Sequence, residues 1–230
     1  MICDASGVVE AWGSPAQIVF PRSSCKMIQA LPLIESGAAD AAGLTDRQLA
    51  LACASHSGAA IHVAGVSDWL RTLGLDEAVL RCGSHMPRDP AEHRRLTCSG
   101  ESPCQIYNNC SGKHAGFLTL NRHLGGGAEY IDPDHPVQQA VKAAFEEMTG
   151  EVSPGFGIDG CSAPNHACSL VGLANAMVAF ARPGGDRRGQ AMRRLTLAMR
   201  DHPELVAGEG RACTALMRAM DGRVAVKTGA

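Results

Sequence analysis

NNCSGKHAGF, residues 108 to 117, puts a thiol and an amine three positions apart at the start of an apolar-periodic run that predicts a helix from Gly112 to Leu124. With Ser111 as its cap, Cys110 and Lys113 both lie at the helix N-terminus, where orphan amide groups and the helix dipole favour a thiolate. A lone C-x-x-K is most often a buried cysteine beside a solvated lysine. The alternative is a place for chemistry or a metal, and the rest of the chain has to decide between them.

Working outward, helix signals dominate. A helix starts near Ser23, turns Cys25, Ile28, Leu31 and Ile34 inward and bends at Pro32. Others are expected at 46–54 behind the cap Thr45, and at 63–73, 136–149, 169–182, 187–200 and 211–220. MICDASGVVEAWG reads as two short strands around the turn 4–7, and GRVAVKTGA as a short strand at the other end. The stretch 83–105 has no clear period and reads as a long surface loop. Strands at 1–20 and 222–230 enclosing a helical region over about 23–220 make an α+β chain and a single domain. A strand that opens at the first residue and another that stops at the last lack neighbours, so the chain is expected to be cut at both ends, with an open edge and an uncovered apolar face.

The 230 residues, 45% of them apolar, suffice for a sizeable core. A net charge of -2 without a dense basic run argues against nucleic acid or an anionic membrane as partner, and favours a small molecule. No stretch is long and apolar enough to span a bilayer, and Met1 to Trp12 lacks the features of a signal peptide. The expectation is a soluble, cytoplasmic protein. Its ten cysteines are scattered, contain no C-x-x-C pair and read mostly as reduced thiols, so a metal site would have to be assembled from distant segments.

Two groups of residues carry chemistry. Ser23-Ser24-Cys25-Lys26 is an S-x-x-K pattern, which on a helix sets serine and lysine on one face so that a desolvated amine can take the hydroxyl proton. It is followed in order by the loop Ser55-His56-Ser57 and by Lys227-Thr228-Gly229, the order of the three active-site elements of serine β-lactamases and penicillin-binding proteins. The second group is GIDGCSAP, 157–164, whose glycines hold Asp159 and Cys161 in a loop after a strand. Asp159 is either a plain loop residue or a partner for a substrate ammonium, with Cys161 then joining Cys110 as a second soft ligand for zinc.

Taken together, PRSSCKMIQALPLIESGAAD, LALACASHSG, NNCSGKHAGF, GIDGCSAPN, HPELVAGEGR and VAVKTGA resemble the asparaginase II family, in the sense of the serine-lysine, zinc-associated L-asparaginases. The resemblance implies a fold similar to serine β-lactamases and glutaminases, an antiparallel sheet flanked by helices plus a helical region. It implies hydrolysis of L-asparagine to L-aspartate and ammonia. Ser23 would attack and Lys26 take its proton, while Ser55 and Lys227 relay a proton to the departing ammonia. It also implies zinc on Cys110, Lys113 and Cys161, with Cys213 nearby, orienting rather than attacking. Asp159 would hold the substrate ammonium, with Asn109 and His114 also at the substrate, and the full-length protein would be a homodimer. The chain departs from the family pattern at Met27, where proline is expected, and at Ala59, where glutamate is expected. The rival readings are another serine amidase of the same fold, acting on glutamine or binding β-lactams, and a non-catalytic zinc-binding fragment.

Overall fold

The computed structural model describes residues 1–229. Twelve α-helices run through them: α1 (Lys26–Gln29), α2 (Leu31–Glu35), α3 (Ala38–Ala41), α4 (Asp46–Ala52), α5 (Ala60–Thr72), α6 (Pro90–Ser99), α7 (Ser111–Leu124), α8 (Pro136–Thr149), α9 (Leu170–Ala181), α10 (Arg187–Asp201), α11 (Pro203–Val206) and α12 (Ala212–Ala219). The strands are β1 (Ile2–Asp4), β2 (Gly7–Glu10), β3 (Ile18–Val19), β4 (Phe156–Ile158), β5 (Pro164–His166) and β6 (Cys168–Ser169). The class is α+β, as the sequence predicts. Instead of one helix-flanked sheet, the described strands form three two-stranded antiparallel ladders, β1 with β2, β3 with β6 and β4 with β5.

Local chemistry accounts for the boundaries. The Gln48 side chain accepts the Thr45 N–H at 2.8 Å ahead of α4, and α8 opens on Pro136 and ends at Gly150 in the left-handed region. Asp186 caps α10 through the Gly189 N–H. The stretch 83–105 is not all loop. Asp89 accepts the N–H groups of Ala91 and Glu92, Pro90 takes the first helical position, and α6 follows until the left-handed Gly100. In front of α7, Ser111 is not the cap. It lies inside the helix, and its hydroxyl donates to the Ile106 carbonyl at 2.7 Å.

α7 is the central element, buried on every side from Ser111 to Leu120. It packs against α4, α5, α2 and α8, and α10 closes on α4 and α2. Ile28, Leu31, Leu49, Leu51, Trp69, Leu120 and Phe145 are fully buried between them, each contributing roughly 1.5–3 kcal/mol. The Trp69 indole N–H finds Thr119 Oγ1 at 3.0 Å. The chain that leaves β3 reaches the N-terminus of α7 through Lys26, whose amine is 3.2 Å from Cys110 Sγ.

The expected strand at 222–230 is corrected: residues 224–229 have no regular secondary structure and join no ladder, and Ala230 lies outside the described residues. The segment is held by other means, with Ala225 and Val226 against the core and the Thr228 N–H donating to Cys213 Sγ at 3.2 Å. Around β1 to β4, Val9, Trp12, Phe20, Phe156 and Ile158 are exposed. Among the described residues no helix is long and apolar enough to cross a membrane, and all ten cysteines are free.

Candidate active site

The loop between α4 and α5 is pinned from three sides. The Ser55 N–H donates to the Val206 carbonyl at 2.9 Å, the His56 N–H to the Asn109 carbonyl at 3.2 Å, and the Ser57 carbonyl accepts the N–H groups of Arg88 and Asp89. His56 is fully buried and locked as one tautomer. Its Nδ1 accepts the Gly58 N–H at 3.2 Å, so Nε2 carries the proton and donates to Ser111 Oγ at 3.0 Å. Burial, followed by the stacked ring of His62, keeps it neutral, well below the usual histidine range. Gly58 has φ +74°, and a side chain there would collide with Pro87.

Against this loop lies the 223–229 segment, where Lys227 Nζ donates to Ser55 Oγ at 2.8 Å. Burial, and after it the positive charge of Lys26, push the Lys227 amine down to about 7. Lys26 is 1% exposed, and its amine donates to the Ala54 carbonyl and to Cys110 Sγ, the latter at 3.2 Å. The S-x-x-K stretch therefore differs from its expected form. A 3₁₀ turn over Arg22–Cys25 precedes α1, Lys26 turns toward the Ser55 loop, and among the described residues the half-exposed Ser23 hydroxyl makes no hydrogen bond.

Behind Lys26 the sulfur chemistry begins. Lys113 Nζ lies 3.1 Å from Cys161 Sγ. The neighbouring Cys110 thiol, opposed by burial and assisted by the Lys113 charge, brings the Cys161 thiol down to about 4. The same contact and burial push Cys110 up to about 12. The charged form is therefore favoured on Cys161 rather than on Cys110, where the helix dipole alone predicts it. Burial works against the Lys113 charge, but the two sulfurs outweigh it and hold the amine protonated. Among the described residues no group of three or more His, Cys, Asp and Glu could hold a metal, so the two cysteines would need a donor of another kind, which the Lys113 amine beside Cys161 can supply. Two soft sulfurs and that amine are a donor set that fits zinc once Cys110 and Lys113 give up their protons.

Asp159 follows β4. Burial opposes its charge, but the Gly160 N–H, Lys113 and Arg22 together hold it below the usual carboxylate range, with Arg22 Nε at 3.0 Å. Cys161 Sγ is 3.9 Å from its other oxygen. Asn109 borders the sulfurs, its Oδ1 3.5 Å from Cys110 Sγ, and its N–H donates to His85. His114 is fully buried, with Nδ1 2.8 Å from the Tyr130 hydroxyl and no partner on Nε2. Burial, then the Lys113 charge, takes its pKa to about 3. Cys213 stands apart from the other two sulfurs' hydrogen bonds, serving the Thr228 N–H. Sequence reasoning passed over Arg22 and His56. Serine-flanked His56 gave a weak signal, and nothing in the sequence marks Arg22.

An amine near neutral pKa on a serine hydroxyl is an arrangement that can draw the proton from that hydroxyl. The L-asparaginase II family matches residues 1–230, the whole chain, and the protein belongs to that family. No curated protein matches it. Family membership supports an amidohydrolase.

Proposed function

We propose that the protein hydrolyses L-asparagine to L-aspartate and ammonia through a serine ester, on a fold related to the serine β-lactamases and glutaminases. The observation that carries this reading is the Lys227 amine, near neutral pKa, on the Ser55 hydroxyl. Lys227 takes the hydroxyl proton, Ser55 attacks the side-chain amide carbon, and the proton passes to the departing ammonia. Lys26 keeps Lys227 in its basic form by charge and fixes the loop by its bond to the Ala54 carbonyl. Water then cleaves the ester.

A second reading keeps Ser23 as the attacking group, with Lys26 as its base and Ser55 with Lys227 as the relay. In its favour, Ser23 is unengaged and directly follows a residue in a strained backbone conformation, Arg22 at φ +48°. The remaining parts of the reading are zinc on Cys110, Cys161 and Lys113, with Cys213 outside the donor set, Asp159 receiving the substrate ammonium, Asn109 and His114 bordering the substrate, and a homodimer. Ten free thiols suit the reducing cytoplasm. Zinc, when bound, would polarise and orient without attacking.

The test is ammonia release from L-asparagine and from L-glutamine, with hydrolysis of a chromogenic β-lactam as the third arm. Release from asparagine alone is the expected result. Hydrolysis of the β-lactam alone would move the protein to the penicillin-recognising enzymes, and zinc uptake without any turnover would make it a binding protein.

A further inference from the structure

Pro90, His93, Arg94, Thr97 and Cys98 recur at helical spacing and form one exposed stripe along α6, whose single buried residue is Leu96. Across from the stripe stands Arg211, directly ahead of α12. With Met86 and Arg88 from the turn before α6, they line an open groove of about 790 Å³. Three segments of the chain thus bring Arg88, Arg94 and Arg211 to one place, with His93 among them.

The positive charge of this groove is uncompensated. Among the described residues these guanidinium groups have neither an ion pair nor a side-chain hydrogen bond, and the carboxylates of the same segments are committed elsewhere. Asp89 caps α6 through the N–H groups of Ala91 and Glu92, Glu92 and Glu101 both pair with Arg95, and Glu209 pairs with Arg218. Like charges gathered without a counter-charge repel, and a bound anion relieves them. Guanidinium forks match phosphate oxygens two at a time. A chain of linked phosphates carries enough charge for all of the arginines, whereas a lone carboxylate leaves most of them unmatched. Met86, 39% exposed, and the Pro90 ring add an apolar side that suits a nucleoside.

The walls of the groove also hold the loop that carries Ser55. On one side the N–H groups of Arg88 and Asp89 donate to the Ser57 carbonyl at 2.8 and 2.9 Å, and Pro87 lies against Gly58. On the other, the Arg211 N–H donates to the Gly208 carbonyl at 3.4 Å, and Gly208 packs so closely on Ser57 that a Cβ there would be 2.3 Å from the serine hydroxyl oxygen. A ligand that draws the two walls together clamps Ser57 between them.

We propose that the groove between α6 and α12 binds a polyphosphate chain through Arg88, Arg94 and Arg211, and that its occupancy tightens the loop of Ser55. The site goes beyond the hydrolase reading, and only an effect on turnover rests on that reading.

The experiment is calorimetric titration of the protein with adenosine triphosphate, inorganic tripolyphosphate, adenosine and citrate. Both phosphate chains should bind, more weakly as salt rises, and adenosine should not. Tighter binding of the nucleotide supports the site with a nucleoside on its apolar side, and tighter binding of tripolyphosphate supports it as a site for the inorganic chain. Arg94→Gln and Arg211→Gln, on opposite walls, should each weaken binding about 10-fold, while Arg193→Gln, at an exposed arginine of α10, leaves it unchanged. Bound polyphosphate should also slow amide exchange at Arg88 and Asp89. Binding of neither chain, equal loss in all three variants, citrate bound as tightly as the phosphates, or exchange unaltered by the ligand would overturn the proposal. Binding with slowed exchange in a protein that releases no ammonia would leave the groove standing and remove the hydrolase. Ammonia release in a protein that binds neither chain would remove the groove alone.

Discussion

The amine of Lys227 rests on the hydroxyl of Ser55 at 2.8 Å, joining two segments 172 positions apart in the chain. An amine that titrates near 7 is a base at neutral pH and an ammonium below it. The rate constant kcat/KM for asparagine should therefore rise with pH through a midpoint near 7 and level off above it. Lys227→Met should lose that limb and about 10²- to 10⁴-fold in rate. A flat profile across neutrality in the parent protein would remove Lys227 from the role of base.

The two serines should separate in a trapping experiment. If Ser55 attacks, Ser55→Ala forms no covalent ester on rapid quenching with asparagine, whereas Ser23→Ala forms one and turns it over slowly. Peptide mapping of the quenched protein by mass spectrometry identifies the modified serine. An adduct on Ser23 in the parent protein would transfer the attacking role to that residue and leave Ser55 with the relay.

Zinc should arrive with proton release. Cys161 is already a thiolate at neutral pH, while Cys110 and Lys113 both hold protons. Binding through all three donors should liberate about two protons per metal, and affinity should climb as pH rises. Titration calorimetry in buffers of different ionisation enthalpy counts those protons. Cys161→Ser should cost more affinity than Lys113→Met, and unchanged zinc content in both variants, by elemental analysis, would rule the site out.

Two glycines of α7 should respond in opposite senses to alanine. A Cβ at Gly112 would lie 2.4 Å from the Leu51 carbonyl oxygen of α4, whereas one at Gly116 would meet nothing closer than 3.5 Å. Gly112→Ala should destabilise by about 1–3 kcal/mol through forced separation of the helices. Gly116→Ala should be neutral or stabilise by up to about 1 kcal/mol by lowering unfolded-state freedom. Urea titrations of the two variants check both.

Helices with strong local signals were legible in the sequence, and the reasons are physical. Pro136 to Thr149 was predicted to the residue, because a proline start and a glycine stop bracket an amphipathic run. The α+β class followed from the same kind of pattern. α6 was missed because its central residues are mostly polar and offer no apolar period, leaving only Asp89-Pro90 as a signal. The last strand was overread, since alternating Val224 and Val226 say nothing about whether a neighbouring strand is present. At the site, the resemblance pairs Ser55 with Lys227, and the structure sets the Lys227 amine 2.8 Å from the Ser55 hydroxyl. The direction of Lys26 toward Ala54 and Cys110, the proton's place on Cys110 and the left-handed Arg22 depend on which segments meet in space, and no local pattern encodes that.

The irregular segment that carries Lys227 has consequences for motion. Because residues 223–229 belong to no ladder, its attachment rests on the apolar contacts of Ala225 and Val226 and a few polar bonds, while Ser55 is anchored in the buried interior. The two halves of the pair thus belong to regions of unequal local stability, and the segment can lift away while the helical core remains intact. Each opening separates amine from hydroxyl, so the fraction of time spent closed multiplies the rate of the chemical step. Amide exchange at Thr228 should then be faster than at Leu120, and mild denaturant, well below the unfolding midpoint, should lower turnover before any change in helix content.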